Sequence, residues 1–265
     1  MLDNSSVPTL IFLHAHPDDE ASQTSGTMAL ASDKGYRVVV VYATNGDHGT
    51  VPPDLRSGET VADRRQAEAT ESARIIGVHR VEWLGYRDSG MNGWAQNGDP
   101  DCFAQADVDE AAARLAAILD EEDADVLVGY DWHGTYGHPD HVKVHTVAYR
   151  AAELAAHRPR VIEETRSTDA DRLLFAQARE VGLDFGEEQV GDDGLPMGVP
   201  ASDINWRVDV SGVLDRKRAA LAAHASQEDA RALLGLPAVV FDAWMSSEYY
   251  REDGLGRPLA DGWPF

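Results

Sequence analysis

Four short apolar runs, separated by helix-patterned stretches, constrain what this chain can fold into. Residues 9–13, 37–43, 81–84 and 125–130 read as strands, brief and rich in Val, Ile, Leu and aromatics. Between and after them, residues 25–34, 60–76, 108–122 and 139–156 read as helices. Gly35 and Gly77 mark two helix ends, and Pro139 opens the last helix, where its missing N–H has no partner to lose. Repeated βα units of this kind predict an α/β fold: a mainly parallel sheet with helices on both faces. The loops 44–59, 85–106 and 131–138 then share one edge of that sheet with the segment after residue 13.

The last hundred residues follow a different pattern. Residues 170–180 read as a helix, 186–200 as a Gly/Asp/Pro-rich surface loop, and 204–210 as an alternating strand. Residues 211–224 read as a helix capped by Ser211, and 241–250 as an aromatic-rich helix. No linker sets this part apart. The expectation is one domain over 1–265, with a core at 1–160 and a C-terminal α+β extension, 161–265, packed on the same core.

The motif with the most chemistry stands directly after the first strand: His14-Ala15-His16-Pro17-Asp18-Asp19-Glu20. A second cluster, Tyr136-Gly137-His138-Pro139-Asp140-His141, follows the fourth strand. Catalytic zinc sites commonly use three His, Asp or Glu ligands and leave a position open for water. His16, Asp19 and His141 can supply that set. Asp18 is then left beside the metal as a general base. His138 can polarise a carbonyl or protonate a leaving amine. Asp140 can hold His138 in one tautomer, and Tyr136 can donate its O–H to an oxyanion.

Blander readings apply to single residues. A lone His-x-x-Asp is ordinarily a turn with a local hydrogen bond; two such clusters in strand-exit loops of one sheet are not. His141 and His145 share a helix face, but Val142 stands where a zinc-protease helix carries Glu, so His145 reads as supporting. His14 also reads as supporting, and Glu20 as favouring a helix N-terminus. Trp94, Trp132, Tyr136 and Trp244 can line a sugar pocket, though aromatics usually pack cores. A lone cysteine, Cys102, excludes an intrachain disulfide and a thiolate metal cluster.

Both motifs resemble the LmbE-like, or PIG-L, family of metal-dependent deacetylases. Weaker matches are Arg65-x-x-Glu68 before Ile76-Gly77-Val78, Leu84-Gly85-Tyr86-Arg87-Asp88-Ser89-Gly90-Met91, and His224-Ala225-Ser226-Gln227. The stretch from Arg87 to Met91 is similar to the mycothiol-pathway branch. The resemblance implies a Rossmann-like fold and a catalytic Zn2+, with Fe2+ or Co2+ as alternatives. It gives His16, Asp19 and His141 the ligand positions, Asp18 that of the base and His138 that of the electrostatic catalyst or acid. Asp140 takes the orienting position and Tyr136 the oxyanion contact. Arg65 and Asp88 match sugar-contacting positions. In the loop after strand two, Asp47 takes the position where relatives often carry a longer carboxylate that helps bind the polar substrate, with His48 beside it.

The expected activity is removal of an acetyl group from an N-acetylglucosamine-like amide. The nearest alternative is an amidase for a mycothiol S-conjugate. A non-haem iron oxygenase is remote, because its ligand triad belongs to β-barrels, and a non-catalytic sugar binder has no use for Asp18, His138 and Tyr136. A net charge of −23 argues against nucleic-acid and anionic-membrane partners. No run approaches the ~20 apolar residues of a membrane span, and residues 1–8 lack signal-peptide character. The expected setting is the cytoplasm, with a small amino-sugar or amide substrate. A homo-oligomer is compatible with the sequence.

Overall fold

The computed structural model describes residues 7–186 and 189–265. Of the polar 1–8 stretch only Val7 and Pro8 are included, and Glu187 and Glu188 of the 186–200 loop lie outside the described residues. Strands β1 (Thr9–His14), β2 (Arg37–Thr44), β3 (Arg80–Tyr86), β4 (Val126–Tyr130) and β5 (Arg160–Thr165) run parallel in the spatial order β3-β2-β1-β4-β5. Beyond β5 the sheet continues through β7 (Ser247–Arg251), β6 (Trp206–Asp209) and β8 (Ala260–Asp261). β7 is antiparallel to both β5 and β6, while β8 is parallel to β6.

The apolar runs are continuous because both sheet faces are covered. Leu10 and Phe12 of β1, with Val38, Val40 and Tyr42 of β2, face one core. Helices α1 (Asp19–Gln23), α2 (Ser25–Asp33), α3 (Val61–Ile76) and α7 (Leu214–Ala223) pack there. Ile11, Leu13, Val39, Val41 and Leu127 face the other, under α4 (Val108–Glu121) and α5 (Pro139–Leu154). Each fully buried Val or Leu contributes ~1.5–3 kcal/mol relative to exposure. α3 carries a reciprocal cap between Thr60 and Asp63, and it ends at Gly77, whose φ of 92° suits glycine.

The C-terminal part departs from expectation at β5, over 241–250 and at Ser211. β5 was not expected, because Glu163 and Glu164 interrupt its apolar pattern although both are buried. The expected 241–250 helix is two elements: α9 (Ala238–Met245) ends at Ser246 and the chain turns directly into β7. Ser211 does not cap α7; a short 3-10 turn over Ser211–Val213 precedes that helix, and the Ser211 N–H donates to Asp209 Oδ1. Two further helices, α6 (Thr168–Glu180) and α8 (Glu228–Leu234), complete the fold, α6 matching the helix expected at 170–180. Among the described residues no helix is long and apolar enough to cross a membrane.

Candidate metal centre and catalytic site

In a β3-β2-β1-β4-β5 sheet, the chain crosses to the sheet's other half between β1 and β4. The crevice beyond the carboxyl ends of those two strands is where such sheets bind ligands. Both His/Asp motifs exit there. Ala15 through Glu20 leave β1 and enter α1, while Asp131 through His138 leave β4 and enter α5. Local caps aim the side chains. His138 is the N-cap of α5, its Nδ1 accepting the Asp140 N–H at 3.1 Å, with Pro139 in the first helical turn.

Asp19 brings two imidazoles together. Asp19 Oδ2 lies 3.5 Å from His16 Nδ1 and 3.4 Å from His141 Nε2. A tetrahedral shell with bonds of ~2.0–2.2 Å separates its donors by ~3.3–3.5 Å. Both Asp19 separations match such a shell, and all three residues are of types that hold a divalent metal. All three are buried, and carboxylates dominate their field. Burial opposes a charge on His16, yet Asp88, Asp140 and Asp19 outweigh it and hold its imidazole well above the usual range. Burial likewise opposes the Asp19 carboxylate, but His141 and His16 hold it well below the usual range. Such a field favours a cation at its centre. The His141 ring is fixed by stacking on Tyr130, centroids 4.4 Å apart.

Among the described residues, two sets of donors lie wholly within 4.8 Å of one another, and His16, Asp19 and His141 are not one of them. One nitrogen from each of His16, His138 and His141 falls within 4.8 Å of the others, and so do single atoms of His16, Asp88, His138 and Asp140. The carboxylates of the second set are already engaged. Asp140 Oδ2 accepts from Ser89 N at 2.9 Å and faces His16 Nε2 at 3.0 Å, while Oδ1 takes the Ser89 hydroxyl. Asp140 thus orients His16, and only its backbone N–H meets His138. A carboxylate on the outer nitrogen of a metal-binding histidine is the usual way its ring is fixed. Asp88 accepts from Gly90 N at 2.8 Å and lies 3.5 Å from His16 Nε2.

Asp18 sits beside the triad in a left-handed conformation, φ 118°, unusual for a non-glycine residue. Its Oδ1 pairs with Arg65 Nη2 at 2.9 Å. Arg65 is 3% exposed and also donates to the carbonyls of Pro17 and Gly46, so it braces the catalytic loop from behind. Burial, only partly offset by Arg65, moves the Asp18 carboxyl up to about 6. On the opposite side, Tyr136 OH is 3.3 Å from His141 Nε2. Burial, with Asp19 and Asp18 close by, holds the Tyr136 phenol well above its usual range, so it stays a donor. Burial and repulsion from the His16 imidazolium lower His138 to about 2, which keeps that ring neutral.

Asp47 lies at the rim. Its Oδ1 accepts the Asp88 N–H at 3.0 Å and its Oδ2 pairs with Arg87 at 3.0 Å, tying two loops together. His14 is buried between Tyr130 OH and Thr24 Oγ1, and His145 faces the Tyr130 carbonyl. Trp94 and Trp132 are exposed. Sequence reasoning missed Ser89 and underrated Glu20, whose Oε1 meets His224 Nε2 and Ser72 Oγ, both at 2.6 Å. The available signal was the His224-to-Gln227 match: Ser226 binds Glu68, and Gln227 takes the Thr50 N–H.

The model of the PIG-L family, described as GlcNAc-PI de-N-acetylase, matches residues 11–152, a stretch containing both motifs. The chain belongs to the PIG-L family. A relative from Thermobispora bispora, named 1D-myo-inositol 2-acetamido-2-deoxy-alpha-D-glucopyranoside deacetylase, is 39% identical, over 94% of this chain and 84% of its own. The N,N'-diacetylchitobiose deacetylase of Pyrococcus horikoshii superposes with a TM-score of 0.58 at 22% identity, covering 93% of this chain and 84% of that one. GalB, a 4-carboxy-2-hydroxymuconate hydratase from Pseudomonas putida, superposes at 0.56 with 17% identity, covering 93% and 96%. The PIG-L fold thus serves deacetylases and a hydratase, and the activity of a member must be argued from its site.

In this PIG-L chain the site opens into a cavity of about 570 Å3. Asp18, Asp19 and Tyr136 are among the residues that line it. Glu164, Arg166 and Asp171 of the β5–α6 segment, with Phe185 and Trp244, line it too. The portion outside the PIG-L match therefore supplies much of the pocket.

Proposed function

We propose that this protein is a zinc-dependent deacetylase that hydrolyses the acetamide of an N-acetylglucosamine-type glycoside. The observation that carries the reading is Asp19 Oδ2 at 3.5 Å from His16 Nδ1 and 3.4 Å from His141 Nε2, with Asp18 beside it and His138 and Tyr136 near. His16, Asp19 and His141 would hold the metal. When bound, it supplies Lewis-acid chemistry, polarising the amide carbonyl and acidifying a water.

Asp18 takes a proton from the attacking water as its oxygen bonds to the carbonyl carbon. Arg65 and the left-handed backbone hold that carboxyl in place. His138 accepts at Nδ1, so the neutral ring carries its hydrogen on Nε2, where it donates to the developing oxyanion. The Tyr136 hydroxyl is a second donor. When the C–N bond breaks, the amine nitrogen takes the proton stored on Asp18, and acetate and the free amine leave. Arg65 acts on this reading as a positioning residue, and Asp88 as the partner of His16 that borders the sugar. The C-terminal extension works as part of the same single domain, because its strands extend the sheet and its residues line the cavity.

The amino-sugar assignment follows the relatives' names and a cavity of about 570 Å3 beside Asp18 and Asp19. Acetate release from an N-acetylglucosaminyl glycoside by the zinc-loaded protein tests it. Release there supports the reading, and intact glycoside after prolonged incubation overturns it.

A further inference from the structure

Thr135 holds a conformation that its own side chain opposes. Its φ is 68°, in the left-handed region, where a β-branched residue is an outlier. The residue is buried, and its hydroxyl is enclosed without a hydrogen-bond partner, so the side chain offers no compensation. The next residue is Tyr136, whose hydroxyl stands 3.3 Å from His141 Nε2. Backbone strain of this kind persists only where the surroundings over-determine it.

Asp131 supplies the hold. It is fully buried, and both of its carboxylate oxygens are used. Oδ1 accepts the Thr135 N–H at 2.9 Å and the His133 N–H at 3.2 Å, while Oδ2 accepts the Thr165 hydroxyl at 2.5 Å. The Asp131 backbone N–H donates to the Glu164 carbonyl at 3.1 Å, and its carbonyl accepts the Gly134 N–H at 2.9 Å. One side chain thus ties the loop to β5, and a carboxylate holds amides more strongly than a neutral acceptor does. From the C-terminal extension, Gly198 N donates to the Thr135 carbonyl and Asp192 N to the Tyr136 carbonyl, both at 2.7 Å. Gly134 lies so close to α5 that a Cβ there would stand 2.4 Å from His141 Cβ. His138 does not depend on this hold, because the start of α5 fixes its ring.

We propose that Asp131 is a positioning residue for Tyr136: its carboxylate holds Thr135 in the left-handed conformation, and that backbone fixes the Tyr136 hydroxyl beside His141. The effect on turnover rests on the deacetylase reading, in which this hydroxyl donates to the oxyanion; the hold on the loop does not. Asp131 does not line the cavity, so it acts through Tyr136 and not on the substrate.

Steady-state kinetics on wild type, Asp131→Ala, Tyr136→Phe and the double variant tests this, with amide hydrogen exchange on the same samples. Asp131→Ala is expected to lower kcat about tenfold with KM nearly unchanged, and to have almost no effect where Tyr136 is already replaced. A merely structural loss would be equal in both backgrounds, and that result overturns the proposal. Asp131→Asn, whose Oδ1 still accepts both amides while Nδ2 donates to Thr165, is expected to keep kcat within about threefold of wild type. Where Asp131→Ala does not fold, the Asp131→Asn cycle decides. A loss seen only with Tyr136 intact then supports the proposal, and no loss or an equal loss overturns it. Exchange at the His133 and Thr135 amides is expected to quicken about tenfold or more in Asp131→Ala while α5 stays protected; unchanged exchange overturns the proposal. A wild type that releases no acetate overturns the deacetylase reading alone, and exchange then decides the role of Asp131.

Discussion

Glu20 and His224, 204 residues apart in sequence, meet at 2.6 Å in the protein interior with both side chains fully buried. The other oxygen of Glu20 accepts the Asp18 N–H at 3.0 Å, and Ser72 closes the group from α3. Burial opposes both charges. His224 and Ser72 nonetheless lower Glu20 to about 2, and Glu20 raises His224. The C-terminal extension therefore reaches through Glu20 to the backbone of the residue assigned as base. His224→Ala leaves a buried carboxylate without its cation, which should cost roughly 3–5 kcal/mol of stability. Chemical denaturation measures it, and a loss below about 1 kcal/mol would show that the pair is not an ionic contact.

Asp18→Asn should lower turnover by about 10²-fold or more, because it removes the proton acceptor. Metal content should not change, since Asp18 lies outside the triad. Steady-state kinetics with elemental analysis of the same sample separates these effects. Loss of metal together with activity would make Asp18 a ligand instead.

Arg65→Lys distinguishes bracing from sugar contact. The guanidinium reaches Asp18 and the carbonyls of Pro17 and Gly46 at once, and an ammonium on a flexible stem cannot reproduce that fork. The expected result is a fall in kcat of about tenfold with KM nearly unchanged. A rise in KM at constant kcat would place Arg65 on the substrate.

Glu163 gives a pH dependence remote from the metal centre. Burial raises its carboxyl to about 7, against the pull of Arg251 and Tyr149 and with Asp131 and Asp253 adding to the rise. His145 Nδ1 also faces it at 3.4 Å. Its unfolded value is about 4.5. Between those values the folded protein holds a proton that the unfolded chain has released, so stability falls as pH rises from about 4.5 to about 7. Glu163→Gln should flatten that part of the stability profile. An unchanged slope in the variant would assign it to another group.

The parallel sheet was legible because β1, β2 and β4 are buried on both faces and therefore read as unbroken apolar runs. The meeting of the two motifs was legible because both are short and both lie at strand exits of one sheet. β5 was hidden because Glu163 and Glu164 satisfy burial by ion pairing or, for Glu164, not at all, and neither leaves an apolar trace. β7 was hidden because α9 hands over to it across one residue. The partners of Asp140 and Arg65 depend on side-chain directions across four loops, which no local pattern carries. Asp140 turns to His16 and Ser89 because its own backbone N–H already caps onto His138.

Metal stoichiometry of three single variants tests the triad most directly. Purified protein reloaded with zinc should hold one ion per chain. That ion should be lost in Asp19→Ala and His141→Ala and kept in His138→Ala. Retention in Asp19→Ala with loss in His138→Ala would place the metal among the three imidazoles of His16, His138 and His141, and would contradict the arrangement of ligands and catalysts proposed above.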